Sequence, residues 1–397
     1  MRSRLTLSLV LLAGLVLMRE SRIEPLVSVE NGFASWLSTN ARRQPPGAPL
    51  VLLEITDDDL RAAPWPWSPF DYSLAVNAAM AFGPSVLAVE PLLSWEEGEQ
   101  VKKAEADQIS LLHHQLLRVP KLLLGAELGV AETPPPAPEE LPVLTRVSGH
   151  LGNLPEFNAI TRQPAEQLRL AGAVGFENLP EGPLRRAPLV FRHCGRVVPS
   201  FVLQAAMLWY GVAPDEVTVV PGSYIALGNS LRIPIDAHGT FAVDFGVPIT
   251  RLTVSDLLLS AERAGAEPGE PVAGLAPRLK GSLALLARTD AASRTLEFAG
   301  RHGSRGEFFA RALATLQQQA LARRLPVYAE AAIIAAGLAL AWFGARKTKL
   351  GAAALVAACV SVYLLAALGV FSTTTVALPL VLPLGLATFV LLLRWLD

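Results

Sequence analysis

The chain has few cysteines, little charge and no signature of catalysis, and each shortage excludes something. Its 397 residues include two cysteines, Cys194 and Cys359. The first falls in a mixed polar stretch and the second in an apolar run. The two are not expected to meet, so neither a disulfide framework nor a Cys-based metal site is expected. A domain of this length can bury enough core to need no such staple. Charged residues make up 17% of the chain and the formal net charge is −1. No basic stripe is available to pair with phosphates, and nucleic acid is not an expected partner. Walker, G-x-G-x-x-G, H-E-x-x-H and kinase signatures are missing, and no G-x-S-x-G elbow surrounds Ser200, which follows Pro199 and reads as a helix cap. No internal repeat of fixed period is present. The sequence offers no catalytic constellation, and neither cofactor nor metal is expected.

Apolar residues, at 51%, are what the chain has in excess, and they are concentrated at its two ends. Leu5–Met18 follows Arg2 and Arg4 without a small-x-small cleavage pattern and is read as an uncleaved anchor within 1–21. Three runs after Pro326, at 327–345, 350–371 and 376–395, are read as transmembrane helices on length and hydropathy. Arg346, Lys347 and Lys349 crowd one connecting loop and Ser372–Thr375 has no basic residue. By the positive-inside rule, residues 22–326 are then an extracytoplasmic domain on the periplasmic side of a bacterial inner membrane.

Within 22–326, Arg22–Arg43 has helical apolar spacing and is ended by Pro45, Pro46 and Pro49. Leu50–Thr56, Ser85–Leu93 and Lys121–Ala126 read as short buried strands. They alternate with helices over Phe70–Phe82, stopped by Gly83-Pro84, and over Lys102–Leu117. Such alternation predicts an α/β domain with a mixed, mainly parallel sheet flanked by helices. Shorter strands follow from Ala173 to Phe245, interrupted by a helix at Phe201–Tyr210. A late strand at Leu283–Ala287 precedes a helix over Gly306–Arg323.

Candidate site residues come from strand ends, where α/β sheets place ligands. Asp57, Asp58 and Asp59 follow the first strand and Glu90 ends the second, an arrangement suited to a cation such as Ca²⁺ or Mg²⁺. The same aspartates also suit a loop in which one of them caps a helical turn. Trp65 and Trp67, flanking Pro66, read either as an aromatic wall for a ligand or as plugs at the end of a core. Arg185 and Arg186 read as a partner or anion contact, or as a solvated turn. His113 and His114 lack a second ligand pair at metal spacing and read as surface residues.

The order of several segments is similar to that of the CHASE2 family of extracytoplasmic sensor domains. They are Leu50–Asp59, Trp65-Pro66-Trp67, Gly83-Pro84, Val86–Glu90, Gly182–Leu189, Pro199-Ser200-Phe201, Ile233–Gly239 and Leu279-Lys280-Gly281, within a one-plus-three membrane-helix layout. The chain departs from the family pattern at Ser68 and Pro69, at Glu90 and at Asp290–Ser293. The resemblance implies a non-enzymatic sensor, a homo-oligomer, with an unknown ligand. It also implies that a separate membrane or cytoplasmic signalling protein receives the signal, because no output module is expected between the last apolar run and Asp397. The lipid bilayer is the other expected partner. A structural or scaffold subunit, using a degenerate domain as an interaction surface, is the alternative reading.

Overall fold

The computed structural model describes residues 29, 33, 36–37, 50–95, 106–133, 141–229, 231–266, 276–318, 323–324, 349–374, 376–378 and 380. The chain forms two compact units. One comprises Pro45–Val243 and Val247–Leu321, and the other Met1–Gln44, Asp244–Gly246 and Ala322–Asp397.

In chain order the larger unit begins with β1 (Leu50–Ile55), α1 (Asp57–Ala62), α2 (Pro69–Met80), β2 (Val86–Val89), α3 (Ala106–Leu116) and β3 (Leu122–Gly129). There follow β4 (Arg146–Val147), β5 (Glu156–Phe157), β6 (Ala159–Arg162), α4 (Glu166–Arg169), β7 (Ala173–Phe176), β8 (Arg186–Pro188), β9 (Val190–His193), β10 (Arg196–Pro199) and α5 (Phe201–Tyr210). The remainder is β11 (Val217–Val220), β12 (Tyr224–Leu227), β13 (Leu231–Pro234), β14 (Thr240–Ala242), β15 (Thr250–Thr253), α6 (Val254–Ala266), α7 (Ala276–Leu279), β16 (Leu283–Arg288), β17 (Leu296–Phe298), β18 (Arg301–Gly303) and α8 (Arg305–Gln317).

The main sheet has the order β15-β1-β16-β2-β3-β6, with β7 also paired to β3. All its pairings are parallel except β3–β6. A largely parallel sheet must be covered on both faces, and the strand sequences show this directly. LVLLEI in β1 and VLAV in β2 are buried at every position. Val51, Leu53 and Ile55 turn to one face, where they join Tyr72 and Val76 of α2, Leu112 and Leu116 of α3 and Leu257 of α6 in one core. The other face carries α5 and α8, which pack on each other and on strands β1, β7 and β16. There Phe201 stacks on Phe309 at 5.1 Å. Gly306 permits the close seating of α8, since a Cβ at that position would overlap the side chain of Ala287 in β16.

Local signals set the element ends. Ser68 accepts from the backbone of Asp71 while Asp71 bonds back to Ser68, a capping box, and Pro69 takes the first helical position of α2. Ser200 caps α5 and Gly211 ends it in the left-handed region. Gly125 in the middle of β3 lies under the carboxylate of Glu177, which a Cβ would overlap.

The smaller unit contains β19 (Arg323–Arg324), α9 (Lys349–Thr374) and β20 (Val376–Ala377) among its described residues. The expected anchor in 1–21 and the expected helix at 327–345 lie outside the described residues, as does most of 376–395. Among the described residues no helix is long and apolar enough to cross a membrane. That corrects the expected four-helix transmembrane region, and with it the inner-membrane location and the extracytoplasmic placement that rested on it. The physical reason lies in how the apolar surface is used. The run 350–371 does form a helix, but Ala367 and Phe371 are buried against Phe33 and Leu37, with Leu364 and Leu368 packed on the same cluster. Val376 and Ala377, expected to open a further helix, instead pair as a parallel strand with Arg323 and Arg324. An apolar helix satisfies protein or lipid surroundings equally well, and hydropathy alone does not separate them.

Candidate functional site

Because β1, β16, β2, β3 and β7 are parallel, their carboxyl ends share one edge of the sheet, and each delivers polar side chains there. Glu54 is near the end of β1, Arg288 ends β16, Glu90 follows β2, Glu127 lies in β3 and Glu177 follows β7. Glu177 stands beside Glu127, since Ala126 and Phe176 are direct partners and the Glu177 N–H donates to the Ala126 carbonyl at 2.9 Å.

The first turn of α8 is seated on this edge. Arg305, directly after the cap residue Ser304, donates from Nη1 to Glu127 Oε1 at 2.8 Å and to Glu177 Oε2 at 2.9 Å. Two residues on, Glu307 bonds Arg251 of β15 and accepts from Arg301 of β18 at 2.8 Å. Arg251 reaches in turn to Glu54 at 3.0 Å. One turn of helix thus presents a cation to one side and an anion to the other, and each is gripped by opposite charges from the sheet.

Charge around Arg305 is out of balance. Burial raises the carboxyl pKa of Glu90 against the pull of Arg305 and of the Arg288 backbone N–H. Burial, and then the charge of Glu90, push Glu177 well above the usual carboxylate range. Burial also opposes the charge on Arg305, but Glu177, Glu90 and Glu127 outweigh it and raise the guanidinium pKa. Glu177 is 3% exposed, and its Oε1 is buried without a hydrogen-bond partner.

This imbalance has a measurable consequence. A carboxyl whose folded pKa is raised contributes its stability below the ordinary value of 4.5 and loses it as pH climbs through the folded value. Glu177→Gln removes that titration and keeps an oxygen for Arg305. The variant is therefore expected to match the parent at pH 4.5 and to exceed it at pH 8 by about 1–3 kcal/mol, the scale of a buried acceptor left unmatched. Urea unfolding at the two pH values checks this, and an unchanged difference between them contradicts it.

Beside Arg305 opens a cavity of about 570 Å³. One wall is the loop Glu177–Gly182 and the other runs from Thr295 through β17 to His302. The Leu184 N–H donates to the Glu297 carbonyl at 2.7 Å, which ties the stretch after the loop to β17.

The residues singled out from sequence are distributed as follows. Asp59 is buried and completes a capping box with Thr56, and its other oxygen accepts from the Ser255 backbone at 2.8 Å. Asp57 accepts from the Ala291 N–H at 3.2 Å, and Asp58 is exposed and pairs with Arg61. The three aspartates thus serve the start of α1 and its neighbours, and they do not converge on a cation. Trp67 is buried and donates to the Ala63 carbonyl at 2.9 Å, packing edge-on against Tyr72. Trp65 lies under the Arg288 guanidinium at 4.0 Å. Glu90 accepts from the Arg288 N–H at 3.4 Å, so Trp65 and Glu90 meet around one residue of β16. Arg186 pairs with Asp236 at 2.9 Å and with Thr240, clasping β8 to β14, while Arg185 is exposed.

Glu127, Glu177 and Arg305 were missed by sequence reasoning. The rule that led to Glu90, an acid at the end of a buried strand, applies equally to LLLGAELG and to AVGFE. The glycine inside the first of those strands also marks a close approach. Arg305 carried no comparable signal. Among the described residues no group of three or more His, Cys, Asp or Glu is arranged to hold a metal ion. Comparison with protein-family models, with curated proteins and with solved structures gives no match.

Proposed function

We propose that the unit comprising Pro45–Val243 and Val247–Leu321 is a non-enzymatic, CHASE2-like sensor that hands its signal to a separate partner protein. The observation that carries this reading is the double role of Arg305. It lies in the wall of the cavity and is also the first residue of α8. A ligand that competes for Glu127 and Glu177 loosens one of the two grips on that helix and leaves the other, through Glu307, Arg251 and Glu54, as a pivot. Among the described residues α8 is the last helix of the unit, so a shift in it is passed on along the chain. The order of strand-end motifs shared with CHASE2 sensors supports the same reading.

The experiment is thermal unfolding of the full chain against a panel of small molecules. A ligand at a hundred times its Kd stabilises the folded state by about 2.7 kcal/mol. For a unit of this size that is a rise in Tm of roughly 5–10 °C. At least one compound is expected to give such a rise and to lose it in Glu127→Gln. A panel in which no compound does so overturns the sensor.

A scaffold is favoured by a different observation. Phe70 and Leu74, one turn apart on α2, are 44% and 43% exposed. In that case only a protein partner stabilises the chain, and Phe70→Ser with Leu74→Ser abolishes its binding.

A further inference from the structure

His193 and Cys194 line no part of the cavity and have no role in the sensor reading. They sit where β9 and β10 are joined by a two-residue turn, Cys194-Gly195, with φ of +48° and +75°. Such a turn is best served by Asn, Asp or Gly, so local backbone preference does not account for the cysteine. Nor is its side chain buried, as that of a free cysteine usually is, because Cys194 is exposed. Its place is fixed nonetheless: the Cys194 N–H donates to the Phe157 carbonyl at 3.1 Å.

What sets this thiol apart from a lone surface cysteine is the ring beside it. His193 is 3% exposed, and its Nε2 stands 3.8 Å from Cys194 Sγ. Burial lowers the imidazole pKa, so at neutral pH a single ring nitrogen carries the proton. Nδ1 is buried with no hydrogen-bond partner. A proton there would be a buried donor with nothing to accept it, so the proton belongs on Nε2. Nε2–H then donates to Sγ, while the S–H donates to the Asn158 carbonyl at 3.5 Å. We propose that Cys194 is a thiol–disulfide exchange site that forms a mixed disulfide with a small-molecule disulfide, its attacking sulfur stabilised by the His193 N–H.

Solvent takes the S–H proton, the Cys194 thiolate attacks one sulfur of the disulfide, and a new S–S bond forms as the old one breaks. The departing thiolate takes a proton from solvent, so one small thiol is released for each Cys194 oxidised. A hydrogen bond to the ionised sulfur is charge-assisted and stronger than one to the thiol, which favours the attacking form. Cys194 is the only cysteine between residues 45 and 321. The larger unit therefore holds no second thiol to resolve the adduct, and an external thiol must remove it. A metal fits this pair less well, since a thiolate and an imidazole are two ligands where structural zinc takes four. Among the described residues no third His, Cys, Asp or Glu joins them to hold one.

The test exposes the full chain to oxidised glutathione, with the linear peptide of residues 190–197 as the unfolded reference. That peptide keeps the same neighbours in sequence and lacks the fixed geometry. At pH 7 Cys194 is expected to react about fivefold faster than the peptide, because the stabilised sulfur is ionised more often but attacks less readily. At pH 10, where an ordinary thiol is ionised without help, the peptide should match or overtake it. Peptide mass mapping assigns the adduct to Cys194 or Cys359, and excess dithiothreitol should remove it. His193→Phe keeps an apolar ring in place of the imidazole. It is expected to bring the pH 7 rate down to that of the peptide with the Tm unchanged. Where that variant does not fold, the parent against the peptide at the two pH values decides. A parent no faster than the peptide at pH 7 overturns the proposal, as does an advantage kept in full at pH 10. So does a rate unchanged in His193→Phe, or an adduct confined to Cys359.

Discussion

Arg305→Ala is expected to destabilise the larger unit by about 2–3 kcal/mol at pH 8, with a loss that shrinks as pH falls toward 5. Removing one partner of a buried pair costs roughly 3–5 kcal/mol because the other charge stays behind unpaired. The figure is lowered here because the Arg305 side chain keeps 36% of its surface in solvent, where water screens part of the loss. The pH dependence follows from what is left. Glu177 and Glu90 have raised pKa values by burial even with Arg305 present. Without it they take up protons more readily still, and neutral carboxyls tolerate burial. Denaturant unfolding at pH 5 and pH 8 measures the effect. A loss of equal size at both values would show that Arg305 acts through packing and not through charge.

Phe309→Ala is expected to cost about 3–5 kcal/mol, the usual range for truncating a buried aromatic ring. Phe309 is 2% exposed and stacked on Phe201 of α5 with an interplanar angle of 23°. Phe308 lies beside it at 6.4 Å and contacts Phe298 of β17 at 5.7 Å. The ring cluster anchors the body of α8 while Arg305 and Glu307 anchor its first turn. The loss from Phe309→Ala should accordingly be the same at pH 5 and pH 8, in contrast to Arg305→Ala. A loss below 1 kcal/mol would mean that α8 does not depend on this packing.

The strands were legible because a parallel sheet covered on both faces leaves a continuous apolar run in each, as in LVLLEI and in LALLAR. The helix Phe201–Tyr210 was legible from Ser200, which reads as its cap after Pro199. The helix Asp57–Ala62 was read only as a helical turn capped by one of the aspartates, whereas Thr56 is the cap and Asp59 bonds back to its backbone. The edge strand Thr250–Thr253 has no apolar run and is held by β1 and by Arg251 reaching Glu54. The expected span at 350–371 was misread for the converse reason. Leu350–Phe371 is uncharged and helical, but part of that surface is buried by Phe33 and Leu37, residues too distant in sequence to be paired with it by pattern.

Glu90 was singled out by its position at a strand end and Trp65 by its unusual company, and the structure places both against Arg288. The convergence of Glu127 and Glu177 on Arg305 depends on three segments spread over 178 residues in sequence. Only the strand order of the sheet brings them together, and no spacing in the chain encodes that order.

The central claim is that Arg305 and Glu177 act as one charge-coupled clamp on α8. A double-mutant cycle of Arg305→Ala and Glu177→Gln, run by urea unfolding at pH 8 and at pH 5, tests it most directly. Removing Arg305 is expected to cost clearly less in the Glu177→Gln background than in the parent. The coupling should be about 1–2 kcal/mol at pH 8 and approach zero at pH 5. Additive effects at pH 8, or a coupling that does not change with pH, would contradict the account.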